Sequence, residues 1–590
     1  MAPYRDCPIA DITKDMAGKQ VHLAGWIHRI RDLKERYFIT LRDRSAMVQL
    51  YVEKNKDPGV TATARGLRSE FVVSVSGIVR SRPEDMVKNE QQKGAIEIEV
   101  TGIEVLNTCP VLPFEVSRGE AVAEHLALKY RYLELRKPEA LAKLALRHQV
   151  VLYIRNFLSQ RGFMEIETPL LTRSTPEGAR DFVVPSRRFP GQFYALPQSP
   201  QQYKELLMIA GVDRYFQIAR CLRDEDARAD RQIEHTQVDF EMSFVVEEDV
   251  LSLLEEMISG ITRKLTDKKL LDSPFKRLTY RRAMEEYGSD KPDLRFALTL
   301  KDVGDSVMAL PIPFLAQARE NTGDFAVKGL VIPGQGNASR RVLDAYKKKV
   351  LLYKAQGFMH VALRQGQVKS SLAKFADPGQ LRHIVHDLGG GDGDLLVMAF
   401  GERRCVNLAL GALRQQVGRD LGLADANTLA FAFVHAFPLF EQGDDGKLEP
   451  LHHMFVMPKA EDIPLLDTDP LAVTGTQYDL VCNGYELCSG SLRIHDPSLQ
   501  RKIMGLIGLD AQTQEQQFGH LLEALSFGAP PHGGAAPGLD RLIMVLAGTE
   551  KMRDVLAFPK TTEGRDLLMD APAPIHAGQL QELHLDIVRD

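Results

Sequence analysis

The chain is poor in cysteine, poorer in tryptophan, and lacks any long apolar run. Its six cysteines (Cys7, Cys109, Cys221, Cys405, Cys482 and Cys488) form no CxxC pair and no zinc-type spacing. That speaks against a disulfide framework or a zinc site and for free thiols in a reducing compartment. No stretch approaches the roughly 18 consecutive apolar residues of a membrane-spanning helix. The opening MAPYRDCPIADITKDM has neither the hydrophobic core of a secretory signal nor the acid-poor character of a transit peptide, so a cytoplasmic protein with no membrane partner is expected. Bulk positive charge is also missing. With 74 Lys and Arg against 79 Asp and Glu, the net charge is −5, which excludes general attraction to nucleic acid but leaves room for a local basic patch.

What is present is a globular composition, 44% hydrophobic and 26% charged, long enough for several domains. Five strand-like runs, near Gln20 to Arg31, Arg36 to Asp43, Ala46 to Glu53, Phe71 to Ser81 and Ala95 to Leu106, fit a small five-stranded barrel of the OB type. Its first two strands crowd Arg29, Arg31, Lys34, Arg36, Arg42 and Arg44 among Trp26, Tyr37 and Phe38. That mixture suits phosphate tracking and base stacking, and it equally suits an ordinary barrel with aromatics inside and arginines outside. Two prolines between Cys109 and Pro113 mark a linker.

Pro138 opens an apolar helical repeat (Leu141, Leu144, Val151, Ile154, Leu158) that Gly162 closes. FMEIETPLLT then reads as a strand, and Pro169 within it, lacking an N–H, places that strand at an edge or interface. The small-residue loop STPEGARD carries Glu177, and ALPQSPQQYKELLM sets Ser199 and Gln201 just ahead of Lys204 in the first turn of a helix. A lysine there opposes the helix dipole unless an anion lies close.

The most densely charged stretch, CLRDEDARADRQIEHTQVDFE, joins two strand-like runs. In the second run Gln237, Asp239, Glu241 and Ser243 alternate with Val238, Phe240, Met242 and Phe244, giving a polar and an apolar face. The connecting loop holds Arg223, Asp224, Glu225, Arg228, Asp230, Arg231 and Gln232. Alone, this is either a solvated hairpin tip or one wall of an anion site. From about Pro292 to Leu423 Gly-rich turns separate apolar runs, as in an inserted module, and GGGDGD there reads as a turn because it lacks the spaced ligands of a calcium loop. Polar clusters return at His452 and His453, in the hairpin from Tyr478 to His495 with its Asn483-Gly484 turn, and in APPHGGAAPGLDRLIMVLAG, where Arg541 opens an apolar helix.

Taken in order, FMEIETPLLTRSTPEGARDF, ALPQSPQ, LRDEDARADRQ, YGSDKPDLRF, YDLVCNGYE, GAPPHGG and GLDR resemble the signature motifs of the class II aminoacyl-tRNA synthetases, and within that class the bacterial-type aspartyl-tRNA synthetases. The likeness runs nearly end to end. It implies an α+β multidomain fold: a five-stranded OB barrel for the anticodon (1–108), a hinge (109–135), an antiparallel catalytic sheet flanked by helices (136–291 and 424–560), an inserted α+β domain of the GAD type (292–423), and a C-terminal extension (561–590). It also implies a homodimer with Pro169 at its interface, ATP and Mg²⁺, and as substrates L-aspartate and tRNA-Asp. An asparaginyl-type or other aspartate-activating ligase, or a non-catalytic tRNA-binding relative, is the alternative reading.

By position, the resemblance assigns catalysis to Arg223 and Arg541, and ATP binding to these two with Asp224, Glu225, Gln232, Glu486, Gly538, Leu539 and Asp540. Aspartate would meet Glu177, Ser199, Gln201, Lys204, Arg223, Asp239, His452 and Arg493, and the metal Asp479, Glu486 and Glu241. Arg31, Phe38 and Gln49 would contact the anticodon. The chemistry fits these residue types: attack of a carboxylate on an α-phosphorus brings two anions together, and fixed cations answer that need without a protein nucleophile. Arg493 and Lys204 also call for an acidic substrate side chain. The sequence departs from the family pattern at Cys488 and Ser489 before Gly490, at Pro537, at Ile233, and at Met454 after His453.

Overall fold

The computed structural model describes residues 4–87, 93–117, 122–174, 178–226, 228–443 and 445–588. By proximity the chain divides into two compact units: Met1–Leu144 with Ala557–Thr561 and Arg565–Pro572, and Ala145–Leu556 with Thr562–Gly564 and Ala573–Asp590.

The first unit holds a closed barrel of β1 (Gln20–Asp32), β2 (Arg36–Arg42), β3 (Met47–Glu53), β4 (Val72–Ser81) and β5 (Ile96–Asn107), in the order β1-β2-β3-β5-β4. Strand alternation explains the sorting of its side chains. In β2 Tyr37, Ile39 and Leu41 turn into the core, while Phe38 and Thr40 face outward, half-exposed. A short helix α1 (Pro58–Gly66) bridges β3 and β4, its start fixed by Asp57, whose carboxylate accepts from the N–H groups of Gly59 and Val60.

The second unit is built on an eight-stranded sheet. Val150, Ile154, Phe157 and Leu158, on one face of helix α2 (Pro138–Ser159), enter its core. The strand expected over FMEIETPLLT forms only as β6 (Met164–Glu165); Pro169 lies beyond it in exposed, irregular backbone, consistent with a residue that cannot donate to a ladder. Then follow α3 (Gln201–Ile209), β7 (Arg214–Leu222), β8 (Glu234–Ser243), α4 (Glu247–Leu265) and β9 (Lys276–Thr279).

The stretch from Pro292 to Leu423 forms a five-stranded antiparallel sheet of β10 (Leu300–Asp302), β11 (Phe325–Ile332), β12 (Gly357–Arg364), β13 (Gln367–Ser370) and β14 (Leu395–Glu402), ordered β10-β11-β14-β12-β13. It has a core on each face: one includes Tyr346 and Val350 of α5 (Arg340–Leu352) and Leu410 and Leu413 of α7 (Arg403–Asp420), the other Leu381 and Ile384 of α6 (Pro378–Asp387). GGGDGD is a turn: Asp392 accepts from the N–H groups of Gln365 and Gly366, and Asp394 from those of Gly334 and Gly391.

The chain then returns with β15 (Phe431–His435), β16 (Gln477–Cys482), β17 (Tyr485–Leu492), β18 (His532–Ala535) and helix α8 (Leu539–Ala547), completing the sheet β9-β15-β16-β17-β18-β8-β7-β6. The β6–β7 and β9–β15 pairs are parallel and the others antiparallel. Asn483 and Gly484, both at positive φ, make the expected tight turn between β16 and β17. Strands β8 and β18, far apart in sequence, lie side by side, with Phe240 opposite Ala535 and Glu241 opposite Gly534. A Cβ on Gly534 would come within 2.1 Å of the Phe240 carbonyl and 2.4 Å of Glu241 Oε2, so only glycine lets this carboxylate lie against the seam.

Candidate active site

A cavity of about 320 Å³ opens over β8, β17, the charged ribbon that follows β7 and the start of α8. Its wall carries Ser199, Gln201, Lys204, Arg223, Glu225, Gln232, Asp239, His452, Glu486, Arg493, Gly538, Asp540 and Arg541, most of the residues expected there. The polar face of β8 and the first turn of α3 supply its floor. Lys204 Nζ lies 2.8 Å from Asp239 Oδ1 and 3.1 Å from Glu241 Oε2, which supplies the anions its place at a helix start requires. Arg493 Nε donates to Glu241 Oε1 at 2.9 Å, and Nη2 approaches Oε2 at 3.3 Å. All four groups are buried. Burial alone would raise the Glu241 carboxyl, but Arg493 and Lys204 outweigh it and bring it down to about 2; for Asp239 burial prevails over Lys204 and the shift is upward.

This arrangement changes two expectations. Glu241, expected as a metal ligand, lies behind the cavity wall with both oxygens engaged by Arg493 and Lys204. Lys204 and Arg493 are not a bare cation pair awaiting substrate, because Asp239 and Glu241 already balance them. Asp540 likewise has a structural partner set: its carboxylate takes the Arg147 guanidinium and the Thr236 N–H at 2.8 Å, tying α8 to β8. Leu539 is core, and Gly538 N–H donates to Leu487 at 2.8 Å.

Arg223 and Arg541, also in the cavity lining, each leave a buried Nε with no hydrogen-bond partner among the described residues, and His452 likewise leaves its Nε2. Arg541 Nη1 donates to the Glu486 carbonyl at 2.6 Å, and Nη2 lies 3.4 Å from Asp230 Oδ2. Glu225 pairs with Arg231 at 2.5 Å, and the Asp224 N–H donates to Arg180 at 2.9 Å, fastening the charged ribbon to the 178–181 segment. Asp479 is buried beside this wall; burial first and then the Glu486 charge push its carboxyl well above the usual range. Glu177 lies outside the described residues.

Sequence reasoning assigned His235 no role and left Gln237 and His453 as polar residues without one, yet all three line the cavity, as do Cys488 and Ser489, the departures from the family pattern. Burial, then Arg223 and Arg541, bring His235 down to about 3, so it is a neutral ring among arginines. His453 Nε2 sits 3.1 Å from Arg493 Nη1; the pairing of His452 with His453 was its only signal. Beside Cys488 the β16–β17 register shifts by one residue, Leu480 facing Cys488 and Val481 facing Glu486. The thiol joins the core, Ser489 Oγ accepts from Gln477 at 2.5 Å, and Gly490 remains where a Cβ would strike the Gly534 carbonyl at 2.4 Å.

In the barrel Arg31 stands opposite Phe38, and its Nη2 reaches Gln49 Oε1 at 3.5 Å, so the three expected contact residues share one outer patch.

Residues 123–562 match the family model for class II tRNA synthetases (D, K and N), and residues 21–106 match that for OB-fold nucleic acid binding domains. The chain belongs to the class II aminoacyl-tRNA synthetases. Among curated relatives, this synthetase is 48% identical over 586 residues to the aspartate–tRNA(Asp/Asn) ligase of Rubrobacter xylanophilus, covering 99% of this chain and 97% of that one. It is 45% identical over 580 residues to the enzyme of the same name from Bacillus subtilis, with 98% of each covered. The synthetase fold is shared with the asparaginyl-tRNA synthetase of Pyrococcus horikoshii complexed with asparaginyl-adenylate, at 18% identity and a TM-score of 0.58 over 94% of this chain and 98% of that one.

Proposed function

We propose that this synthetase attaches L-aspartate to tRNA-Asp in two steps: ATP-dependent formation of aspartyl-adenylate, then transfer of the aspartyl group to the terminal adenosine. The observation that carries the choice of amino acid is the cavity floor. Lys204, Asp239 and Arg493 line it while Glu241 stands behind, so two cations, held by these two carboxylates, border the space that an amino-acid side chain would enter. An acidic side chain accepts charge-assisted hydrogen bonds from both cations, which an amide makes more weakly.

Arg223 and Arg541 line the same cavity, each with an unpartnered Nε, and their guanidinium groups suit phosphate oxygens. Arg223 would hold the α-phosphate beside the substrate carboxylate, and Arg541 the γ-phosphate, with Glu225, Gln232 and Gly538 bounding the nucleotide. The substrate's own carboxylate is the nucleophile, so the protein's task is to orient it and stabilise charge. Asp479 and Glu486 would hold magnesium: a carboxyl raised first by burial and then by an acidic neighbour, together with that neighbour, is a donor set that a divalent cation neutralises. When bound, the ion draws negative charge off the phosphates.

The barrel patch of Arg31, Phe38 and Gln49 would bind anticodon bases. Exposed Met164, Leu170 and Leu171 around Pro169 suit a homodimer contact. A cytoplasmic location accords with six free cysteines and with a role in translation; among the described residues no helix is long and apolar enough to cross a membrane.

Pyrophosphate exchange run with aspartate and with asparagine, followed by charging of tRNA-Asp and tRNA-Asn, tests the reading. Exchange with aspartate alone is expected, and exchange with neither amino acid would overturn it. Because two of the relatives are named for both tRNAs, the charging arm also decides the tRNA range.

A further inference from the structure

Behind the cavity floor lies a second buried pair. Glu205 follows Lys204 on α3, and its Oε1 accepts from Nε2 of Gln201 at 2.6 Å, fixing a side chain that lines the cavity. Its Oε2 has no hydrogen-bond partner and faces His532 Nε2 at 3.8 Å, itself unpartnered. Glu205 and His532 are 0% and 1% exposed. His532 opens β18, and its carbonyl accepts the Arg493 N–H at 2.9 Å, so the dyad abuts the proposed aspartate pocket from two elements.

The hydrogen bonds settle where protons reside. His532 Nδ1 lies 2.8 Å from the Pro530 carbonyl. A carbonyl only accepts, so Nδ1 carries a hydrogen. A neutral ring would then turn the bare lone pair of Nε2 toward a carboxylate. The charge balance agrees. Asp239, Glu241 and Glu205 are three buried carboxylates against two cations, Lys204 and Arg493, so one further positive charge makes the cluster neutral.

We propose that His532 is a positioning residue for the amino-acid pocket: as an imidazolium it offsets Glu205, which in turn holds Gln201 against the substrate and leaves Lys204 and Arg493 free to read the substrate carboxylate. The proposal rests on the aspartate-pocket reading above. Arg493 also feels the Glu205 charge, so without the His532 charge its guanidinium would be drawn from the cavity wall toward that carboxylate. The charged groups facing the dyad are Lys204 on its own helix, Asp239 and Glu241 on β8, and Arg493 after β17; burial opposes the imidazolium, while Glu205 first and then Glu241 raise it above the usual histidine range.

The test is steady-state pyrophosphate exchange on the full chain. His532→Gln is expected to raise KM for aspartate at least tenfold while KM for ATP stays within about twofold, and Glu205→Gln, which neutralises the orphaned carboxylate and keeps an acceptor for Gln201, is expected to recover most of that loss in the double variant. A double variant no better than His532→Gln, or equal rises in both KM values, would overturn the proposal. Should His532→Gln fail to fold, ¹⁵N NMR of the imidazole in the wild-type protein decides: both nitrogens protonated at pH 7.5 is expected, and a neutral ring refutes it. Failure of the pocket reading itself shows differently, as an Arg493→Leu enzyme that still activates aspartate.

Discussion

Arg493 and Glu241 meet inside the catalytic sheet, Nε to Oε1 at 2.9 Å, across 252 residues of sequence and out of contact with water. The cation expected to read the substrate is therefore also the counter-charge of a buried carboxylate.

Replacing it separates those roles. Arg493→Leu should abolish aspartate activation while ATP binding remains measurable, and should also cost about 3 to 5 kcal/mol of stability because Glu241 is left uncompensated. Arg493→Leu with Glu241→Leu should regain stability but not activity. Denaturant unfolding beside pyrophosphate exchange reads both; a single variant as stable as wild type would contradict the pairing.

Acid sensitivity should have a recognisable source. His235 is held down to about 3 against about 6.5 when unfolded. Between those values the unfolded chain binds the extra proton, so stability falls as pH falls, by up to about 1.4 kcal/mol per pH unit, and is unaffected above pH 7. Glu241, depressed to about 2, adds a loss below about pH 4.3. His235→Phe should flatten the dependence between pH 6.5 and 4.5 in urea melts. Parallel curves for the two proteins would show that the ring does not titrate in this way.

Asp230 on the ribbon sits 3.4 Å from Arg541 Nη2, where it competes with any anion for that guanidinium. Both groups are partly exposed, so the pair is worth at most about 1 kcal/mol. Asp230→Asn should tighten ATP binding by up to about fivefold; weaker binding would mean the carboxylate assists the nucleotide.

Phe38→Ala in the barrel should lower kcat/KM for tRNA charging by roughly five- to a hundredfold, the worth of one stacked base, with pyrophosphate exchange unchanged. Loss of both activities would signal a folding defect.

The barrel was legible because period-two alternation in its strands is strong and the first two connections are short; α1 escaped, although Asp57-Pro58 is a helix start, because PGVTATARG has too weak an apolar stripe to announce itself. The cavity cations could be named from motif order. Their partners could not, since the choice of Glu241 for Arg493 depends on strands β17, β18 and β8 lying side by side, a tertiary fact that no local spacing encodes. The same holds for Asp540, which reads as a nucleotide residue beside Arg541 yet spends its carboxylate on Arg147 and Thr236. In the insertion, apolar runs and glycines marked a module, while its strand order followed from pairings such as β11 with β14 that only the folded chain reveals.

The seam between β8 and β18 has a consequence for synthesis on the ribosome. The partner of Phe240 is Ala535, so the whole 292–423 segment emerges before the seam can close, and until then β8 waits as an open sheet edge. Asp239 and Glu241 on one face of that waiting strand, and the dense charge of the ribbon beside it, make it a poor template for pairing with another nascent chain. Carboxylates that the finished sheet buries thus first serve to keep half-made molecules apart.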